Sequence, residues 1–205
     1  MATELWLVRH AIVAENERLR LYGVRDVPLC PDSLVAQARQ YEALAAALPR
    51  PARWLCTPLS RTHRTAERIF AAGYPAQPLH VEPGLLEQDL GEWAGLVHAA
   101  LPPLLALPSH PFWPLAAAEP PPGGESFAAV LARVGPVVER IAAEADGEAV
   151  IVVCHGGSIR AAVAHAMGVD ARAALHLSVQ NLSLTRLARE PGGWRVGCVN
   201  ELLGF

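Results

Sequence analysis

Lysine is absent from this 205-residue chain, so all 17 basic residues are arginines. That absence excludes Schiff-base chemistry and a P-loop lysine, and it hands any cationic work to guanidinium groups. A formal net charge of -3, with no local cluster of basic residues, argues against a nucleic-acid surface. Long hydrophobic runs are missing as well. Ala149 to Cys154 is the cleanest, and the stretch Leu101 to Leu107 is interrupted by Pro102 and Pro103 and closed by Pro108, far short of a membrane span. No membrane partner is therefore expected. No leader is expected either, because a strand begins almost at once, and the location implied is the cytoplasm. The four cysteines, Cys30, Cys56, Cys154 and Cys198, make no C-x-x-C pair and read as free thiols in a reducing compartment.

What is present is a succession of apolar strands and amphipathic helices. Glu4 to Val8 reads as a first strand, followed by a polar loop to about residue 31. A helix then starts at Asp32, with Leu34, Ala38, Tyr41, Ala45 and Leu48 on its apolar face. Arg53 to Thr57 reads as a second strand, and Ser60 as the cap of a helix running to about Ala71. A short strand around Leu79 to Val81 leads through a loop into a Pro- and Ala-rich segment, about 96–124, that reads as a lid or insertion. Beyond it lies a helical pattern from Glu125, with Phe127, Val130, Val134 and Ile141 among its apolar positions, that Gly135 and Pro136 are expected to kink or break. A buried strand to Cys154, a helix from Ser158 to Met167 and a closing hairpin (Leu182 to Leu187, Trp194 to Val199) complete the chain. Alternating strands and helices predict a three-layer α/β/α sandwich, with a mostly parallel sheet and at least one antiparallel edge strand, in a single domain.

Two strands end in histidine. Arg9 and His10 follow the first, and His155 follows Ala149 to Cys154 and precedes Gly156, Gly157 and Ser158, where a helix opens and its free N–H groups face anions. Cys56 to Arg61 repeats the arrangement with an arginine in place of the histidine. Two imidazoles and two arginines delivered to strand ends make a phosphate pocket: Arg9 and Arg61 to grip phosphoryl oxygens, the glycines to let main-chain N–H groups approach, and neutral His10 to attack phosphorus. The arginines disfavour a protonated imidazole and keep His10 nucleophilic, while His155 donates to a phosphoryl oxygen. The remaining histidines show no metal-ligand spacing, and no metal or cofactor is expected.

Taken in order, these motifs resemble the histidine phosphatase superfamily, the phosphoglycerate mutase-like fold, over almost the whole chain. Leu7 to Ala11 is similar to the family's strand-ending Arg-His-Gly motif, with Ala11 in place of the glycine. Asn16 falls where the family carries an asparagine, Tyr22 to Leu29 resembles its Gly-x-x-Asp-x-Pro-Leu segment, and Thr57 to Arg61 its Ser-Pro-Leu-x-Arg motif. Leu86 to Gly95 looks like the acid-bearing loop and Pro122 to Ser126 the Pro-Gly-Gly-Glu-Ser helix start. The resemblance implies a phosphomonoesterase with a phosphohistidine intermediate on His10, His155 as its second histidine, Glu87 as the proton donor and then the base, and Asn16 and Gly156 as phosphate contacts. Ile12 and Val13 stand where many relatives carry an acid and a hydroxyl, which favours hydrolysis over a mutase's phosphotransfer.

Alternatives within the family are an α-ribazole phosphatase or a mutase; outside that chemistry, a non-catalytic member that binds a phospho-ligand or a protein. An α/β-hydrolase elbow is ruled out because Arg160 stands where its second glycine belongs. The substrate expected is a small phosphorylated metabolite. Arg18, Arg20 and Arg25 argue for a second anionic group on it, whereas Phe112 and Trp113 argue for an apolar opening. The edge strand and the apolar lid each leave room for a homodimer.

Overall fold

The computed structural model describes residues 2–204. Its apolar runs assemble into one six-stranded sheet. The strands are β1 (Thr3–Arg9), β2 (Arg53–Cys56), β3 (Leu79–Val81), β4 (Val150–Cys154), β5 (Leu184–Glu190) and β6 (Gly193–Glu201), in the order β3-β2-β4-β1-β5-β6. The first four run parallel, and β5 and β6 add an antiparallel edge on the far side of β1. All five residues of β4 are buried, which is why that strand reads as an unbroken apolar run rather than an alternating one.

Helices cover both faces. They are α1 (Glu15–Arg18), α2 (Pro31–Ala36), α3 (Ala38–Ala47), α4 (Ser60–Ala71), α5 (Phe127–Ala145), α6 (Gly156–Met167) and α7 (Ala171–Ala174). Leu5, Leu7, Val150 and Val152 turn one way, onto Val130, Val134 and Ile141 of α5 and Ile159 and Val163 of α6. Val8, Ile151 and Val153 turn the other way, onto Tyr41 and Leu44 of α3 and Ala66 and Ile69 of α4. The period-two alternation of the strands thus splits the core into two layers, giving the expected three-layer sandwich.

Several local expectations are corrected. The helix expected from Asp32 is two, interrupted at Gln37, and the polar loop after β1 contains the single turn α1. Ser60 does not cap α4: Leu59 is the cap residue, and Asp26 Oδ1 takes the Ser60 N–H at 2.9 Å and its hydroxyl at 2.7 Å. A carboxylate from a distant loop thus supplies what a cap would. Helix α5 runs unbroken through Gly135 and Pro136. Ala132 and Pro136 lie on its exposed side, so the carbonyl that the proline leaves unbonded is on the face open to solvent. Gly135 packs against α6: a Cβ there would stand 2.7 Å from His165 Nδ1.

The Pro-rich segment is ordered by a small core of its own. Leu101 and Leu115 pack with Leu21, Leu90 and Trp93, and the Glu119 carboxylate takes the N–H groups of Ala106 and Leu107. No helix among the described residues is long and apolar enough to cross a membrane.

Candidate active site

Register brings the two histidines together. Arg9 pairs with Cys154 at the ends of β1 and β4, so the next residues, His10 and His155, leave the sheet side by side, and the His10 N–H bonds Cys154 O at 2.9 Å. Their ring centroids are 5.3 Å apart with the planes at 61°. The neighbouring strand β2 ends one residue before Thr57, whose hydroxyl lies 2.9 Å from His155 Nε2. The C-terminal ends of three adjacent parallel strands therefore build the site, as is general for open α/β sheets.

The hydrogen bonds fix what each ring offers. His10 Nδ1 is 2.7 Å from the Ala11 carbonyl oxygen, which can only accept, so Nδ1 carries the proton and Nε2 the lone pair. His155 is the complement. Its Nδ1 is buried and has no partner among the described residues, and when the Thr57 hydroxyl donates to Nε2 the proton sits on Nδ1, where it can meet an oxyanion. Both rings are buried and held well below their ordinary pKa, first by burial and then by the charge of Arg61, with His10 and Arg9 adding to the effect on His155 and Arg9 to that on His10. Neutral imidazoles are the result.

Ala11 answers a departure from the family pattern. It is fully buried, its N–H bonds Thr65 Oγ1 at 2.9 Å, and its backbone is not left-handed, so no glycine is needed there. Asn181 secures the same turn from the β5 side, its Nδ2 donating to His10 O at 2.7 Å and Ala11 O at 3.2 Å. The next residue, Leu182, is buried with φ of 58°, one of three non-glycine residues in that region of backbone space among those described. Strain of this kind collects where surrounding structure over-determines a site.

The two arginines are aimed by main-chain carbonyls. Arg61, completely buried, gives Nη1 to Arg25 O and Nη2 to Gly23 O, each at 2.7 Å, and leaves Nε without a partner. Arg9 gives Nη1 to Val179 O and likewise leaves a buried Nε unpaired. One N–H of each outer nitrogen of Arg61 is thus tethered, while the second N–H of each and that of Nε remain for a ligand. Among the described residues neither guanidinium forms an ion pair. Buried donors without acceptors are costly, and an oxyanion is what satisfies them.

Glu87 lies on the wall of the adjoining cavity, of about 300 Å³, which Arg9, Gly156, Arg160, Asn181 and Trp113 also line. Its Oε2 accepts the Gly157 N–H at 3.1 Å and its Oε1 accepts the Gln88 N–H at 2.9 Å. Of the two glycine N–H groups expected to face phosphate, that of Gly157 is therefore spent on Glu87. Ser158 Oγ ties the same loop to α6 through Leu85 O and Leu86 O, both at 2.8 Å. Glu125, from the Pro-Gly-Gly-Glu-Ser segment, braces it through the Asp89 N–H at 3.1 Å and Arg133 at 2.6 Å.

Of the residues singled out in the sequence, His10, His155, Arg9, Arg61, Glu87 and Gly156 meet here. Asn16 does not: it is exposed on α1, its Nδ2 pointing to Glu17 Oε1 at 3.4 Å, outside the cavity lining. Of the two aromatics expected at the opening, Phe112 is 68% exposed and Trp113 lines the cavity. Thr57, Asn181 and Arg160 carried no assigned role in the sequence. Thr57 was readable from its place at a strand end opposite His155; Asn181, far along the chain and set by tertiary contact, left no signal.

Imidazoles and guanidiniums at the C-terminal edge of a mixed sheet define the phosphoglycerate mutase-like class of α/β sandwich. The model of the histidine phosphatase superfamily (branch 1) matches residues 5–202, and the chain belongs to that family. It is 32% identical over 97% of its length to a bifunctional protein of Mycobacterium tuberculosis, of which the match covers 54%, so the chain spans about half the length of the mycobacterial relatives it matches. It is 29% identical to the adenosylcobalamin/alpha-ribazole phosphatase of Salmonella typhimurium, over 86% of this chain and 85% of that one. The structure of a mycobacterial glucosyl-3-phosphoglycerate phosphatase superposes with a TM-score of 0.82 at 26% identity, covering 98% of this chain and 100% of the other.

Proposed function

We propose that this protein is a phosphomonoesterase that hydrolyses a small phosphorylated metabolite through a phosphohistidine on His10. The observation that carries the reading is the unpartnered Nε2 of a neutral, buried His10 set among the free donors of Arg9, Arg61 and His155. The Nε2 lone pair attacks phosphorus while the ester P–O bond breaks, and protonated Glu87 gives its proton to the leaving oxygen. Glu87, now a carboxylate, takes a proton from water as the water oxygen attacks phosphorus and the P–N bond breaks. Arg9, Arg61, His155 and the Gly156 N–H hold the phosphoryl oxygens throughout, which is where most of the acceleration arises.

The reaction needs no metal or cofactor, and its setting is the cytoplasm, with no nucleic-acid or membrane partner. The relatives named as phosphatases support hydrolysis, and so does the apolar Val13 on the cavity wall, where a mutase would present a polar group. The test is turnover of an aryl phosphate. His10→Ala is expected to lose at least about a thousandfold in kcat/KM, alkaline quenching of the wild type to trap phosphate on His10, and a chelator to change nothing. Undiminished turnover by the variant would overturn the reading.

A further inference from the structure

The structure resolves the conflict between basic and apolar cues at the cavity opening. Phe112 points to solvent and Arg25 is paired with Glu17 at 3.5 Å, so neither decides what enters. Arg18 and Arg20, both exposed, line the cavity with Arg160. Arg160 is the informative one. Its Nε donates to Leu177 O at 2.8 Å and its guanidinium carbon lies 4.9 Å from the centre of the Trp113 ring, which fixes the plane of the fork. Its two outer nitrogens have no hydrogen-bond partner, and none of Arg18, Arg20 and Arg160 forms an ion pair among the described residues.

Burial pushes Arg160 down to about 10, with Arg9 pushing the same way, while Glu87 opposes both. A methyl group added at Gly156 would stand 3.1 Å from Arg160 Nη1 and 3.4 Å from Arg9 Nε, so two guanidiniums share one wall. Among the described residues Glu87 is the one carboxylate lining the cavity, and it is already committed to two main-chain N–H groups and to proton transfer. A single phosphoryl group held by Arg9 and Arg61 leaves three cations unmatched along the path of the leaving group.

We propose that Arg160 is a specificity-determining residue and that, with Arg18 and Arg20, it selects phosphomonoesters whose leaving group carries a second anion, a carboxylate or a further phosphate. The inference rests on the phosphomonoesterase reading for its substrate, but it concerns binding and is tested separately from turnover. In the His10→Ala background, calorimetry is expected to show 3-phosphoglycerate binding at least about tenfold tighter than glycerol 3-phosphate, which differs by the carboxylate. Fructose 1,6-bisphosphate against fructose 6-phosphate asks the same of a second phosphate, and the pair with the larger ratio identifies the anion.

Adding Arg160→Gln is expected to bring the larger ratio to within about twofold, Arg160→Lys to restore part of it, and the exposed pair Arg18→Gln and Arg20→Gln to lower it without touching the buried fork. In the otherwise wild-type enzyme the same preference should appear in KM rather than kcat. Ratios near one in both substrate pairs, or ratios that survive Arg160→Gln, overturn the inference even if aryl phosphate is hydrolysed. Ratios that behave as stated in a protein without His10-dependent turnover would uphold it and overturn the phosphatase reading instead.

Discussion

The Glu87 carboxylate caps the main-chain N–H of Gly157, in the first turn of the helix that follows His155, so the proposed proton donor is positioned by the same helix that positions the second histidine. A Cβ at Gly157 would overlap Glu87 Oε1. Gly157→Ala is therefore expected to displace the carboxylate and lower kcat/KM by about a hundredfold, within the range for loss of a general acid. The loss should be largest for substrates with poor leaving groups and small for activated aryl phosphates. An equal loss for both would mean that Glu87 does not protonate the leaving oxygen.

Thr57 Oγ1 lies 2.9 Å from His155 Nε2, and a hydroxyl donating there would hold the His155 proton on Nδ1. Thr57→Val keeps the shape and removes the hydroxyl, leaving His155 Nε2 without its donor and freeing the proton to move to that nitrogen. A fall of about tenfold in kcat and a stability loss of about 1 to 2 kcal/mol are expected. Thr57→Ser should recover most of the rate; failure to do so would show that the methyl, not the hydroxyl, is what matters.

The pH dependence of stability follows from the two buried imidazoles. Both have native pKa values well below 6.5, so above that pH neither state binds protons there and they contribute nothing. Below 6.5 the unfolded chain takes up protons that the native site refuses, and stability falls with falling pH until the native pKa values are reached. Each histidine contributes a slope of at most about 1.4 kcal/mol per pH unit. Urea denaturation between pH 7 and pH 5 should show that slope reduced in His10→Asn, and an unchanged slope would mean that His10 is protonated in the native protein.

Pro136 interrupts no helix but removes an N–H from the exposed side of α5. Pro136→Ala restores that donor and is expected to raise stability by about 1 to 3 kcal/mol, read as a shift of the urea midpoint at constant slope. Gly135→Ala, next to it, should do the reverse, because its methyl meets the His165 ring. A gain from both would mean that α5 and α6 can move apart freely.

The contrast between those two neighbours shows which parts of the fold were legible. The apolar period of α5 located the helix, but whether a Gly-Pro pair would break it depended on which side faced water, and that is fixed by packing against α6. Asp26 and Ser60 make the same point: a serine before an apolar run reads as a cap, yet the bond is made by a carboxylate 34 residues away. Asn16, placed by motif position alone, lies on the single turn α1 outside the cavity lining, whereas Arg160, which entered the sequence reading only as the residue that excludes a hydrolase elbow, is part of its wall.

The sequence by itself determined the alternation of strands and helices, the apolar run of β4, and the placement of Arg9, His10 and His155 at strand ends and of Arg61 in the first turn of a helix. These are local matters, since burial on both faces of a strand and the opening of a helix are written in consecutive residues. Which ring nitrogen carries a proton, which donors are left unspent and which arginines go without a counter-charge were decided only by tertiary structure. Apart from the bond of His10 to its neighbour Ala11, those properties come from hydrogen bonds and charges brought together by strand register and by loops distant along the chain, as Thr57, Val179 and Gly157 are here, and no stretch of sequence encodes them alone.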